Sequence, residues 1–259
     1  MSFEYVSVDE AIAAEGLRVV VVPQVPSPWG EAAKGIFHVE GLPFLAVRLV
    51  YDDERLARWA GQLSGPVVVF GDEPPRSGWA EILLLAERLA PAPSLVPADP
   101  LERALVFGLG HELLGEEGLA WSRRLHAIHL GLTGEGREGG FPPKAARYLG
   151  QKYGYRPDAA EAAGDRIVAL LGMLAARLRA QRADGSAYLV GDRPSAADVY
   201  AAVVMALFAP LPEAQCPMRA STRAVFETLD DRTRAALDPI LLEHRDMMYA
   251  RHLELPLRL

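Results

Sequence analysis

Residues 90–100 read Ala-Pro-Ala-Pro-Ser-Leu-Val-Pro-Ala-Asp-Pro, with four prolines in eleven residues. Proline lacks a backbone N–H and fixes φ, so no helix interior and no central strand runs through such a segment. It is a stiff linker, and it divides the chain into two parts with different periodicity. Before it, short apolar runs alternate with amphipathic stretches. After it, strand signals nearly vanish.

In the front part, Leu17 to Val22 is a β-branched run that predicts a buried strand. A proline-rich turn follows from Pro23 to Pro28, and Glu31 to Val39 predicts a helix stopped by Gly41 and Pro43. Phe44 to Val50 alternates as a second strand. Asp53 to Gln62 has the pattern of a short helix, and Pro66 opens a third strand through Phe70. Asp72 to Arg76 is a turn or a stunted fourth strand. Trp79 to Leu89 is helical, with Ile82, Leu85, Ala86 and Leu89 on one face. The order is that of a thioredoxin-like unit, although a flavodoxin-like beginning has the same early pattern.

Behind the linker, helices are expected at Leu101–Leu114, Leu119–Leu130, Lys144–Tyr153, Pro157–Arg182 and Ala196–Ala209, with two more in the tail from Ser221 to Leu253. Ile167, Leu170, Leu171, Leu174 and Leu178 form one apolar stripe. The 196–209 helix is apolar almost all round, which places it centrally. Residues 131–142 form a glycine-rich loop. The expected domains are 1–90, a linker at 91–100, and an all-helical unit at 101–259.

Composition narrows the function classes. Half of the 259 residues are hydrophobic and 24% are charged, so a folded globular chain is expected. The net charge of -7 argues against nucleic-acid and anionic-membrane binding. The single cysteine, Cys216, forms no internal disulfide and fits a reducing compartment. No early basic run precedes an apolar core, and the apolar runs are too short to span a bilayer, so a cytoplasmic location is expected. His126 and His129 stand i, i+3, but no third ligand accompanies them, and no metal is expected.

Three short motifs carry more. Pro26-Ser27-Pro28-Trp29-Gly30 lies where the first strand ends and a helix opens. Gly65-Pro66 precedes the strand Val67-Val68-Val69, where the X–Pro bond is cis or begins a trans edge strand. Pro194-Ser195-Ala196-Ala197-Asp198-Val199 has a helix-capping serine, an acid three residues on, and an apolar pair able to staple the helix start.

In this order the three motifs resemble glutathione transferases over most of the chain. The resemblance implies an α/β thioredoxin-like N-terminal domain followed by an all-α C-terminal domain. It implies glutathione as co-substrate, with Ser27 as the catalytic hydroxyl that donates to the thiolate. Trp29, Gly65, Pro66, Arg76 and Ser77 are the expected glutathione-binding residues, although Trp29 equally suits packing at the helix start. Ser77-Gly78 stands where the family usually carries an acid followed by serine, so the acid is missing and the serine displaced. Ser77 is a candidate cap for the helix it precedes, and Glu73 or Glu81 a candidate replacement acid.

Trp121 and Arg124 are the expected substrate-pocket residues, against the alternative that this is a solvated helix face. Tyr148, Lys152 and Tyr153 follow the glycine-rich loop and are candidates to line a lid. The implied reaction joins or exchanges the glutathione thiolate on a small hydrophobic electrophile, in a homodimer. The alternative is a non-catalytic protein of the same fold that binds a ligand or a protein partner.

Overall fold

The computed structural model describes residues 3–90, 92–134 and 139–259. Pro91 of the linker and residues 135–138 of the glycine-rich loop lie outside the described residues. The front part contains β1 (Glu4–Val6), α1 (Val8–Ala13), β2 (Leu17–Val21), α2 (Pro28–Val39), β3 (Phe44–Arg48), α3 (Glu54–Ala60), β4 (Val67–Phe70) and α4 (Trp79–Leu89). The strands form one sheet in the order β1-β3-β2-β4. β1 and β2 run parallel to β3, and β4 runs antiparallel to β2.

The stunted strand expected near Arg76 is a single bridge. Val68 N–H donates to Arg76 O at 2.7 Å, and Arg76 N–H returns a bond of 2.9 Å to Val68 O. β1 and α1 had no sequence expectation, because three residues show no periodicity. Their local signal is a capping pair: Ser7 N–H donates to Glu10 Oε2 at 2.8 Å, and Glu10 N–H to Ser7 Oγ at 3.2 Å.

Period-2 alternation sends the sheet's side chains to two cores. Val20, Val47, Val67 and Val69 pack with Ala11 of α1 and with Leu56 and Ala60 of α3. Leu17, Val19, Val21, Ala46 and Val68 face the other way, onto α2 and α4. That second core continues without a break into the helices behind the linker.

Those helices are α5 (Pro100–Leu114), α6 (Leu119–Thr133), α7 (Pro143–Lys152), α8 (Pro157–Ala183), α9 (Ala196–Val204), α10 (Ala220–Glu227), α11 (Asp231–Ala236) and α12 (Pro239–Arg251). A 3₁₀ turn, Met205–Leu207, ends α9. The tail therefore holds three helices rather than the two expected. Asp230 starts α11 by accepting from Thr233 N–H at 2.9 Å, and Asp238 starts α12 by accepting from Ile240 N–H at 3.0 Å. Two aspartate caps ten residues or fewer apart divide what periodicity reads as one segment.

Every residue of α9 is buried, and α9 packs on α2, α5 and α12. An ideal Cβ on Gly35 of α2 would lie 2.9 Å from Val199 Cγ1, so only glycine allows α2 this approach. The linker is fixed to the same helix. Leu95 O accepts from Ala196 N–H at 2.9 Å, and Glu87 Oε1 accepts from Leu95 and Val96 N–H at 2.7 and 3.1 Å.

Asp198 is the hub of α9 and has no exposed surface. Its Oδ2 accepts from Ser195 N–H at 2.9 Å and from Ser195 Oγ–H at 2.7 Å. Its Oδ1 accepts from Leu189 N–H at 2.7 Å and pairs with His244 Nε2 of α12 at 2.9 Å. Removing a buried carboxylate from such a network strands several donors at once, at a cost of about 3 kcal/mol or more. Asp198→Ala is expected to lower the melting temperature sharply; an unchanged thermal melt would contradict this role.

A second buried carboxyl is set against pH. Glu40, at the end of α2, is 5% exposed, and burial followed by the neighbouring Glu87 carboxylate pushes its pKa from 4.5 up to about 9. Below 4.5, Glu40 is protonated in both folded and unfolded chains. Above it, only the unfolded chain releases the proton, so this group's contribution to stability falls until the folded pKa is passed. Glu40→Gln is expected to flatten that decline, melting increasingly above the parent protein as pH rises from 5 to 9. Parallel thermal melts across that range check it; a constant difference between the two proteins would contradict it.

Candidate functional site

The cleft begins where β2 ends. After Val21 the chain turns through Pro23 and Gln24, the latter with φ of 61°, and re-enters regular structure at α2. Ser27 is the residue before the helix, and Pro28 occupies the first helical position, where a missing N–H costs nothing. Ser27 N–H donates to Val25 O, and Ser27 O accepts from Glu31 N–H, both at 2.8 Å. The Ser27 hydroxyl makes no capping bond to the helix. It is therefore free to serve another acceptor at a helix N-terminus, where the backbone dipoles favour negative charge.

On the same side of the cleft lies Gly65, joined to Pro66 by a cis peptide bond. An ideal Cβ on Gly65 would stand 3.1 Å from Val22 N, so glycine permits the close approach to the end of β2. Ser27 and Gly65 line one side of a cavity of about 800 Å³. The opposite side comes from α6, from α7 with the preceding Phe141, and from α10, contributing Arg124, Tyr148, Lys152 and Phe226 among others. Tyr51 and Tyr148 meet edge to face across it, with ring centroids 5.6 Å apart.

The cleft is cationic. Arg124, Lys144, Lys152 and Arg219 line it, and among the described residues no carboxylate does. Burial, and then the charge of Arg124, hold the Lys152 ammonium below its usual range. Burial, followed by the nearby phenols of Tyr148 and Tyr153, raises Tyr51. Arg219 is steadied by Gln24, whose Oε1 accepts from Arg219 Nε at 2.7 Å.

Two adjacent arginines of α6 behave differently. Arg123 is 3% exposed and spends its guanidinium on main-chain carbonyls: Leu207 O at 3.2 Å, Val225 O at 3.0 Å and Thr228 O at 2.9 Å. It ties α6 to α10 and to the turn after α9. Arg124 is 8% exposed, yet its Nε and Nη2 are buried without a hydrogen-bond partner among the described residues. Its guanidinium carbon lies 5.7 Å from the ring centres of Trp29 and Phe141 and 5.8 Å from that of Tyr153. Ring faces offset part of the buried charge, by roughly 0.5–2 kcal/mol each. They do not replace the hydrogen bonds, and each unmet donor costs roughly 1–3 kcal/mol.

The other sequence-predicted residues fall in different places. Trp29 spans from α2 to α5, its Nε1–H donating to Leu114 O at 2.7 Å, so it braces the helix start and also covers Arg124. Trp121 stands behind Tyr153, with ring centroids 4.8 Å apart, and does not line the cleft. Arg76 pairs with Glu73 at 2.5 Å, and Glu73 also holds Arg88 at 2.7 Å. Arg76 is thereby engaged away from the cleft.

Ser77 is exposed and does not cap α4, because the capping position belongs to Gly78. Glu81 Oε2 accepts from Gly78 N–H at 3.2 Å, and so closes that helix start with its own carboxylate. Neither Glu73 nor Glu81 is free to replace the missing acid. With Pro66 and Trp29, Ser77 borders a hollow of about 10 Å³. Outside the cleft, the Cys216 thiol is fully buried, and burial with the nearby Glu31 pushes its pKa up to about 11. His129 Nδ1 bonds Tyr155 Oη at 2.9 Å.

Tyr148, Lys152 and Tyr153 line the cleft, whereas Tyr51, Phe141, Lys144 and Arg219 carried no sequence signal. Their positions span from 51 to 219, and no local spacing joins them.

No protein-family model matches the chain, and no curated protein matches it in sequence. Solved structures do match in fold. A glutathione S-transferase from Methylobacterium radiotolerans, in complex with glutathione sulfonate, is 20% identical with a TM-score of 0.58, covering 91% of each chain. A glutathione transferase family member from Pseudomonas fluorescens, with two glutathione bound, is 15% identical with a TM-score of 0.61, covering 94% of each chain. A glutathione S-transferase domain-containing protein from Marinobacter aquaeolei is 17% identical with a TM-score of 0.61, covering 90% of this chain and 98% of its own. The chain thus has the glutathione transferase fold: a thioredoxin-like unit followed by helices. No described helix is long and apolar enough to cross a membrane.

Proposed function

We propose that this chain is a glutathione-dependent transferase whose reaction takes place in the cleft between α2 and α6–α7. The observation that carries the reading is the Ser27 hydroxyl, uncapped at the N-terminus of α2 and opening on a cavity of about 800 Å³, a size typical of small-molecule sites. Glutathione lies extended past Gly65-Pro66, its main chain pairing with the glycine backbone like an added strand. Its sulfur reaches the start of α2. There the Ser27 hydroxyl donates to it, and the helix dipole favours the thiolate over the thiol. The thiolate attacks an electrophilic carbon of the second substrate. One S–C bond forms, and the displaced electron pair leaves with a departing group or, on conjugate addition, is protonated from solvent.

The reading includes a division at the linker, with glutathione held by residues before it and the second substrate by those after. The cytoplasmic location and the homodimer implied by resemblance belong to the same proposal. The non-catalytic alternative draws support from the start of α4. Glu81 already occupies Gly78 N–H there, and its charge opposes the γ-glutamyl carboxylate that the family usually seats at this helix. Glutathione is therefore expected to bind weakly.

Calorimetry with glutathione is expected to give a dissociation constant in the millimolar range, about 1 mM or weaker, and Glu81→Gln to tighten it. No binding heat in either protein would overturn the glutathione reading. In Ser27→Ala the bound thiol is expected to titrate at a higher pH than in the parent protein, followed by thiolate absorbance. An unshifted titration with glutathione bound would remove Ser27 from the mechanism.

A further inference from the structure

The second substrate has so far been described only as a small hydrophobic electrophile. The cleft adds a constraint of charge. Of two successive arginines on α6, Arg123 satisfies itself on three carbonyl oxygens, so the protein can supply acceptors to a buried guanidinium here. Arg124, one residue on and more than nine-tenths buried, has Nε and Nη2 without a partner among the described residues, and it lines the cavity. The rings of Trp29, Phe141 and Tyr153 lie around it, each 5.7–5.8 Å from its guanidinium carbon. Lys144, Lys152 and Arg219 add three more cations to the same wall, unopposed by any carboxylate among the described residues. The rest of that wall is largely apolar, with Leu149, Val225 and Phe226.

A buried guanidinium with unmet donors, flanked by aromatic rings beside an apolar surface, is complementary to one kind of small molecule. The geometry points to a second substrate whose apolar body carries a carboxylate, received by Arg124 as a charge-assisted pair and steered into the cleft by Lys144, Lys152 and Arg219. The inference rests on the transferase reading for the reaction. It stands apart from that reading for the binding, because the carboxylate site needs no glutathione.

Calorimetry with benzoate, and with neutral benzamide of the same shape, tests it on the full chain. Benzoate is expected to bind the parent protein more tightly than benzamide by roughly tenfold or more, the scale of a charge-assisted pair against a neutral contact. This comparison needs no variant. Arg124→Gln is expected to erase the preference and Arg124→Lys to keep part of it, with thermal melts establishing that both variants are folded. Equal affinity for benzoate and benzamide in the parent protein would overturn the inference, as would a preference that survives Arg124→Gln in a folded variant.

Glutathione itself carries carboxylates, so the benzoate titration is repeated with glutathione at saturation. Simultaneous binding supports assignment of Arg124 to the second substrate; competitive displacement of benzoate assigns Arg124 to glutathione and overturns it. If benzoate binds and glutathione does not, the transferase reading falls while the carboxylate site remains.

Discussion

The structure depends on one buried carboxylate. Asp198 collects four hydrogen bonds from two ends of the chain's helical part: two from Ser195, one from the Leu189 backbone, and one from His244 on α12. A carboxylate without solvent is tolerated only when its oxygens are met in this way. The bonds fix the start of α9, and α9 in turn has no exposed residue. Everything packed on α9 inherits its position, including α2 through the Gly35 approach to Val199 and the linker through Leu95. The end of α2 that borders the cleft is thus placed from the middle of the helix, by an interaction that never touches the cleft. The chain's last residues add a second tie, for Lys34 Nζ and Tyr5 Oη both donate to Arg258 O, at 3.0 and 2.9 Å.

The cleft combines two kinds of electrostatics. On the α2 side the positive character is distributed over backbone N–H groups and completed by one hydroxyl. On the α6–α7 side it is concentrated in side-chain cations, with Arg124 held in aromatic contact and its Nε and Nη2 without a partner among the described residues. Both sides favour negative charge, and they face one cavity of about 800 Å³. A thiolate and a carboxylate on separate molecules fit that division, whereas a purely apolar substrate leaves the second wall unused. The start of α4 is the exception. There the Glu81 carboxylate already occupies the Gly78 backbone donor and opposes further negative charge.

Much of the fold was legible because its signals are local. The β-branched run at 17–22, the prolines at 90–100 and the serine–aspartate spacing at 195–198 each state their structure within a few residues. The bond at Gly65-Pro66 was left open between cis and a trans edge strand, and it is cis; Ser27 was singled out only through the family resemblance of the motif around it. β1 escaped because three residues carry no period, and the tail was read as two helices because an aspartate cap is a single-residue signal. Ser77 was expected to cap α4, but the cap fell one residue later, where Glu81 supplies the acceptor. Trp121 lies near the cleft in sequence register yet behind Tyr153 in space. The cationic wall was illegible for a different reason: positions 124, 144, 152 and 219 converge only through tertiary packing. Nor did any pattern indicate that Arg123 would find three carbonyl acceptors while Nε and Nη2 of Arg124 would find none among the described residues.

A crystal structure of the protein soaked in glutathione tests the central claim most directly. The account predicts glutathione extended beside Gly65, with its sulfur within hydrogen-bonding distance of Ser27 Oγ and Arg124 left open toward the rest of the cleft. Glutathione seated with its sulfur away from α2, or its carboxylate paired with Arg124, would contradict it.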